Sequence, residues 1–371
     1  MERILNVQAV QRALAERGMS QKNLAQAIGT SSQAVTNWLK GEDFPRPASL
    51  LSIATTLGLG IKELVMTGGD ADRPVIAYRK KANAKTTGAH VAKAEGIGML
   101  LKPLVAYLPN LQALRTLITA PSTDYARIEN VIAQVRRRLG IGDQAVLEYE
   151  HLIGEFEHGG AVLVPVLWGA KGNHENALHI RLPREDVTFI FLNLDTHLED
   201  FKFWMAHELA HVLTPELSGT NDGEDFADAF AGALLFPRAC AERAYREIVA
   251  SNVLDVLRKY AHEHLISLNT VFKQTQAFAA AEGLPPLAIE EGRIHAARNS
   301  ARGPLVGEAL FDPMPPSPER YIAACENTFR TGFFQALRQM IRATGTGPAY
   351  VQQILDAPMR DAHALFKALS D

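Results

Sequence analysis

The sequence predicts a mainly α-helical protein with one small β-sheet, an α+β arrangement spread over more than one domain. Three observations carry this reading. Helical periodicity recurs along the chain; Ile128, Val131, Ile132, Val135 and Leu139, for example, follow i, i+3, i+4, i+7 spacing. The clear β-type runs are gathered in one stretch: Ala161–Trp168 and Val187–Asn193, with a weaker Leu178–Leu182 between them. And 371 residues are long for a single core.

Taken in order, residues 1–66 read as five short helices. Asn6–Arg17 is amphipathic and ends at Gly18. Ser20 caps Gln21–Ile28, which stops at Gly29, and Ser31 caps a third helix running to Lys40. Pro47 opens Ala48–Leu57, Gly58 closes it, and a last turn spans Ile61–Val65. Residues 67–95 mix Gly, Asp, Lys and Ala around one strand-like run, Val75-Ile76-Ala77-Tyr78, and read as a linker with some structure of its own. From 97 to 140 the pattern is helical, broken at Pro103, Pro109 and Pro121; after the β-type runs, helices resume at His197 and continue to the C-terminus. Pro313–Pro318 reads as a turn or boundary loop. The expected organisation is a helical domain at 1–66, a connector at 67–120, an α+β domain at 121–250 and a helical C-terminal region at 251–371.

Composition narrows the function classes. Hydrophobic residues at 47% and charged residues at 21% describe an ordinary globular chain rather than a disordered or fibrous one. Two cysteines, Cys240 and Cys325, cannot build a disulfide framework, and no apolar stretch approaches the roughly 20 residues of a membrane span. With no signal-peptide pattern at the N-terminus, the expected location is cytoplasmic, with no membrane association. A net charge of −3 argues against indiscriminate nucleic-acid binding. The positive charge lies at the front: seven Lys/Arg against five Asp/Glu over 1–66, and seven against three over 67–102.

His207-Glu208-Leu209-Ala210-His211 is the strongest chemical signal. Residues four apart on a helix share a face, so both imidazoles can hold one metal ion, a zinc for preference. Glu208, one position round, can take a proton from a water at the ion as general base instead of ligating. Catalytic zinc wants three protein ligands, and Glu224-Asp225-Phe226-Ala227-Asp228 follows. A helix starting there puts Glu224 and Asp228 on one face: Glu224 as third ligand, with Asp225 as its rival, and Asp228 as the carboxylate that fixes a ligating histidine's tautomer. The expectation is one Zn²⁺ per chain.

These segments resemble the ImmA/IrrE metallopeptidases of bacteria and phages. That family carries a strand ending in Asn, an Ala-His-Glu-Leu-x-His helix, and an acidic helix ending in Leu-Leu-Met-Pro. Here they read Phe189–Asn193, Ala206–His211 and Ala227–Pro237, with Phe236 in place of the usual Met and Ala210 in place of the usual Gly. The likeness covers about 125–250. It implies a gluzincin-like zinc peptidase domain with His-Glu-x-x-His plus Glu ligation, acting on a partner repressor.

Residues 21–41 in turn resemble the phage-repressor (XRE) helix-turn-helix. Leu24, Ala25, Ile28, Val35 and Trp38 form an inner face, while Ser32, Gln33, Thr36 and Asn37 present short hydrogen-bonding side chains to a major groove. Gln21 and Lys40 are placed for phosphate. The expected partners are a double-stranded DNA operator, read as a homodimer, and a protein substrate of repressor or antitoxin type in a stress- or phage-linked response. The competing reading is a metal-binding regulator, or an antitoxin-type repressor, without proteolysis. Other residues are expected to be bystanders: His174 and His179 solvated beside loops, His262 and His264 at the surface or locally hydrogen-bonded, Arg136-Arg137-Arg138 a wet helix face, and Cys240 an inert small side chain.

Overall fold

The computed structural model describes residues 3–40, 43–67, 73–77, 88–109, 117–167, 177–300 and 302–371. Gly41, Tyr78, Trp168, His174 and most of the expected linker lie outside the described residues. The chain divides into two compact units, Met1–Pro74 with Leu182–Arg184, and Val75–Arg181 with Glu185–Asp371.

In the first unit, β1 (Arg3–Leu5) precedes α1 (Val7–Glu16), α2 (Gln21–Ala27), α3 (Ser32–Leu39), α4 (Pro47–Leu57) and α5 (Ile61–Leu64), and β2 (Val65–Thr67) closes it. The helices start where short polar side chains can replace missing backbone acceptors: Asn6, Ser20 and Ser31 each accept a hydrogen bond from the backbone N–H three residues on. Leu24, Ala25, Val35, Trp38, Ile53, Leu57 and Leu64 are buried together as its core. The antiparallel β1–β2 pair was not expected; it ties the two ends of the unit, with Ile4 opposite Met66.

The second unit holds a four-stranded sheet in the order β3-β5-β6-β4, built from β3 (Val75–Ala77), β4 (Ala161–Val166), β5 (Ala177–Leu182) and β6 (Val187–Asn193). Before it come α6 (Gly88–Leu101), a 3-10 turn at Lys102–Tyr107, α7 (Tyr125–Arg138) and, preceding β4, α8 (Tyr149–His158). β4 and β6 are parallel and every residue of both is buried, as expected for strands covered on both faces. β3, from the expected linker, pairs antiparallel with β5. The helices that follow are α9 (Leu198–Leu213), α10 (Asn221–Leu235), α11 (Arg238–Val249), α12 (Val253–His264), α13 (Leu268–Ala281), α14 (Glu291–Ser300), α15 (Val306–Leu310), α16 (Pro318–Phe329), α17 (Phe333–Thr344), α18 (Pro348–Leu355) and α19 (Met359–Ser370). Among the described residues no helix is long and apolar enough to cross a membrane.

Two expected surface features are buried instead. Arg136 is only 1% exposed. Its guanidinium donates to the carbonyls of Leu234, at the end of α10, and of Gly142 and Ala145. Only Arg137 and Arg138 of that run face solvent, and Arg138 pairs with Glu155. His262 is exposed, but His264 is buried against the rings of Phe236 and Tyr260. Cys240 is buried, and burial pushes its thiol up to about 11.

The central helix, α9, is fixed along its N-terminal half by the rest of the unit. Tyr149 donates to the Leu198 carbonyl at 2.7 Å, and Asp200 takes a two-pronged bond from Arg298 at 2.6 Å. His197, just before the helix, forms a β-bridge with Leu305, and its Nδ1 lies 2.6 Å from the Gly303 carbonyl. Lys202, fully buried, donates to the His264 carbonyl at 2.8 Å, where α12 ends on a left-handed Leu265. Burial pushes this ammonium down to about 8.

Candidate metal centre and nucleic-acid interface

The site begins at the end of β6. The Asn193 side chain accepts from the Asp195 N–H at 3.0 Å, a local turn that sends the chain from the sheet into α9. Further along that helix, His207 and His211 project from the same face, their Nε2 atoms 3.2 Å apart. α10 then crosses α9. It starts at Asn221 under a Thr220 cap, three residues earlier than a helix beginning at Glu224 would. Its first turn presses on the preceding 3-10 turn so closely that a Cβ on Gly223 would lie 2.2 Å from the Leu217 carbonyl oxygen. Only glycine permits this approach, and it sets Glu224 over the two imidazoles.

Glu224 Oε2 lies 3.4 Å from His207 Nε2, and Oε1 lies 3.4 Å from His211 Nε2. Both carboxylate oxygens and the His211 Nδ1 are buried without a hydrogen bond among the described residues. Three donor atoms so placed fit a cation. A regular tetrahedron with bonds of about 2.0–2.1 Å has edges of about 3.3–3.4 Å, and the edges here are 3.2, 3.4 and 3.4 Å. The same three residues are the group able to hold a metal among the described residues. Asp225 is exposed, on the other side of its helix. Asp228, one turn beyond Glu224, approaches the far nitrogen of His207: Oδ1 to Nδ1 is 2.9 Å. A carboxylate there favours a proton on Nδ1, the arrangement in which Nε2 is the atom free to take a cation in place of its own proton. Trp204 stands edge-on to the same imidazole at 5.8 Å.

In the first unit, the outward face of α3 carries Ser32 and Gln33, both exposed, with Thr36 and Asn37 half-buried. Gln33 Nε2 donates to Asn37 Oδ1 at 2.8 Å, and Thr36 donates back to the Ser32 carbonyl at 2.9 Å. Gln21 and Lys40 are exposed at the start of α2 and the end of α3.

Comparison with known families gives two matches. Residues 10–64 match the helix-turn-helix family model, and residues 170–271 match the IrrE N-terminal-like domain, a peptidase family. The chain joins a helix-turn-helix DNA-binding domain to an IrrE-like peptidase domain. No curated protein matches the chain. The match to the peptidase family begins after β4 and runs into α13, so α7, α8 and β4 complete the fold outside it.

Charge in the peptidase domain is arranged to suit a cation between these ligands. Burial opposes a charge on His207, but Asp228 and Glu224 outweigh it and draw the imidazole up to about 9. Burial likewise opposes the charge on Glu224, and the two histidines overcome it, bringing the carboxyl down to about 2. Glu208 is 3% exposed. Burial would raise its carboxyl, yet His179, His207 and His211 together hold it below the ordinary carboxylate range.

His179 corrects the sequence reading. It lies on β5, is 1% exposed, and places Nδ1 3.3 Å from Glu208 Oε2. Its ring meets that of His211 edge-on at 5.5 Å. The signal available was the alternation Leu178-His179-Ile180-Arg181-Leu182, which puts His179 and Arg181 on one face of a strand and excludes a loop.

Proposed function

We propose that the chain is a DNA-binding regulator with zinc-dependent endopeptidase activity of the gluzincin kind, acting on a polypeptide partner such as a repressor or antitoxin in a stress- or phage-linked response. The observation that carries this reading is the triangle of His207, His211 and Glu224 with a buried carboxylate, Glu208, one residue away on α9. A purely structural zinc takes four protein ligands and needs no neighbouring base. Three ligands leave one position for substrate and water.

In this mechanism His207, His211 and Glu224 would hold the zinc. When bound, the ion supplies Lewis acidity to the scissile carbonyl and acidifies water. Glu208 accepts the proton of the attacking water and returns it to the leaving amine. His179 is a positioning residue: at 3.3 Å from Oε2 it keeps the Glu208 carboxylate charged and aimed. Asp228 holds the His207 tautomer. In the helix-turn-helix domain, Ser32, Gln33, Thr36 and Asn37 read base edges while Gln21 and Lys40 hold phosphates, and a homodimer spans two half-sites about one helical turn apart.

The test is Glu208→Gln. Because Glu208 is not a ligand, the variant should keep about one zinc per chain, and cleavage of the partner should fall by about 10²–10⁴-fold. Glu224→Ala should lose zinc and cleavage together. Undiminished cleavage in Glu208→Gln would overturn the mechanism, and a derepression response unaffected by it would favour a metal-binding regulator without proteolysis.

A further inference from the structure

The segment that follows the helix-turn-helix unit contributes a strand to the peptidase sheet, and where it does so is informative. β3 pairs antiparallel with β5 in the register Val75↔Arg181, Ile76↔Ile180, Ala77↔His179. Among the described residues it is the outermost strand on that side. The β5 edge it covers is the one that carries His179, which touches both Glu208 and His211. β3 also touches the loop leading to the helix of Glu224. Gly219, in the left-handed region at φ 78, would place a Cβ 3.0 Å from the Ile76 carbonyl oxygen and 3.9 Å from Val75 Cγ1. Three residues of extended backbone are thus held between an edge strand and a loop, with Ala77 opposite His179, the residue that touches the proposed general base.

The opposite edge of the sheet is closed differently. There the outward carbonyls of β4 are capped by side chains from the C-terminal region: Thr331, between α16 and α17, donates to Leu163, and Tyr321 of α16 donates to Pro165. Those hydroxyls belong to packed, buried residues. β3 has only three residues to hold it, and a strand that short is released more easily than a helix layer.

We infer that β3 is the resident occupant of the β5 edge, a strap that must leave before an extended polypeptide substrate can add there as a strand. This rests on the peptidase reading. Sheet-edge addition recognises a polypeptide through its main chain and selects it through alternate side chains. The register supplies the selection. Cross-strand partners share a face, so Ala77 presents its methyl group beside His179, where it is 3% exposed. A substrate in the same register carries a small residue opposite His179.

The experiment uses the full-length chain carrying Glu208→Gln, so that nothing is cleaved, with Val75→Cys and Arg181→Cys added at facing positions. Antiparallel partners about 4.5–5.5 Å apart at Cα are within disulfide reach. The native thiols, Cys240 and Cys325, are buried and stay out of the exchange. The probe is a fluorescein-labelled peptide of the sequence Arg73–Ala77, followed by anisotropy. Oxidation should weaken binding at least tenfold, and reductant should restore it on the same sample. A loosened strap, Val75→Gly with Ile76→Ser, should bind at least tenfold tighter than Glu208→Gln alone. Equal binding in the oxidised and reduced forms, no gain from loosening, or no binding to any form would overturn the strap. Since binding is read without cleavage, a chain that follows this pattern but never cuts its partner sinks the peptidase reading alone. One that cuts equally well cross-linked or reduced, with Glu208 restored, sinks the strap alone.

Discussion

Truncating Asp228 to Ala tests how far the proposed metal centre depends on a residue outside the three proposed ligands. Asp228 accepts from His207 Nδ1 at 2.9 Å, which fixes the tautomer and aims Nε2 at Glu224 and His211. Partners of this kind are worth about 10–100-fold in metal affinity. Two features place this one at the low end. Its side chain is 45% exposed, so water screens the carboxylate. The imidazole it orients is 1% exposed and flanked by Trp204, so packing retains much of the orientation after the carboxylate is gone. The expected loss is therefore about tenfold, or about 1.4 kcal/mol. Competition for zinc with a chromophoric chelator at neutral pH measures it, on wild type, Asp228→Ala and Asp228→Asn. Asn keeps an acceptor oxygen and should recover most of the affinity. An unchanged affinity in Asp228→Ala would refute the tautomer argument. A loss of about 10³-fold or more would exceed what such a partner supplies and make Asp228 a ligand.

Three further outcomes are expected. Gln33→Ala should weaken binding to the cognate operator by about 1–3 kcal/mol while sparing non-specific affinity; since Gln33 bonds Asn37, the double variant with Asn37→Ala should fall short of the sum of the singles in a salt-controlled titration. His264 is buried with neither ring nitrogen hydrogen-bonded among the described residues, and burial pushes it down to about 4. Its folded-state value is thus below its unfolded one, so stability is complete above about pH 6.5 and drains as pH falls towards 4, by about 2 kcal/mol at about pH 5; His264→Phe should flatten that slope in urea titrations. Arg136→Met strips three carbonyls, that of Leu234 buried, of a charged donor and should cost about 2 kcal/mol by thermal unfolding, the refuting result being a change within about half a kcal/mol.

What was legible in the sequence was what is local. Ser20 and Ser31 announce helix starts because the bonds they accept come from three residues downstream. His207 and His211 announce a shared helix face because four positions make one turn. Where legibility failed, the partner lay far along the chain. His179 meets Glu208 across 29 positions, through a strand register that no window of residues contains. Arg136 reaches Leu234, and its neighbours Arg137 and Arg138 gave the run the look of a solvated face. β1 and β2 are three residues each, too short to display alternation, and β3, although read as a strand-like run, gave no sign of the strand it would pair with. Glu224 stood between: its acidic helix could be read, but its selection over Asp225 depends on how α10 crosses α9.

The bonds that anchor α9 bear on how the protein can be cut down for study. The match to the peptidase family stops at residue 271, and a fragment trimmed there would look self-sufficient. Yet Arg298, Gly303 and Leu305 hold the residues that lead into the metal helix, and Tyr321 and Thr331 satisfy the carbonyls of β4. Such a fragment would expose a bare sheet edge, a template for sticking to its own kind. Insolubility of the trimmed protein would then report the missing scaffold and say nothing about its chemistry.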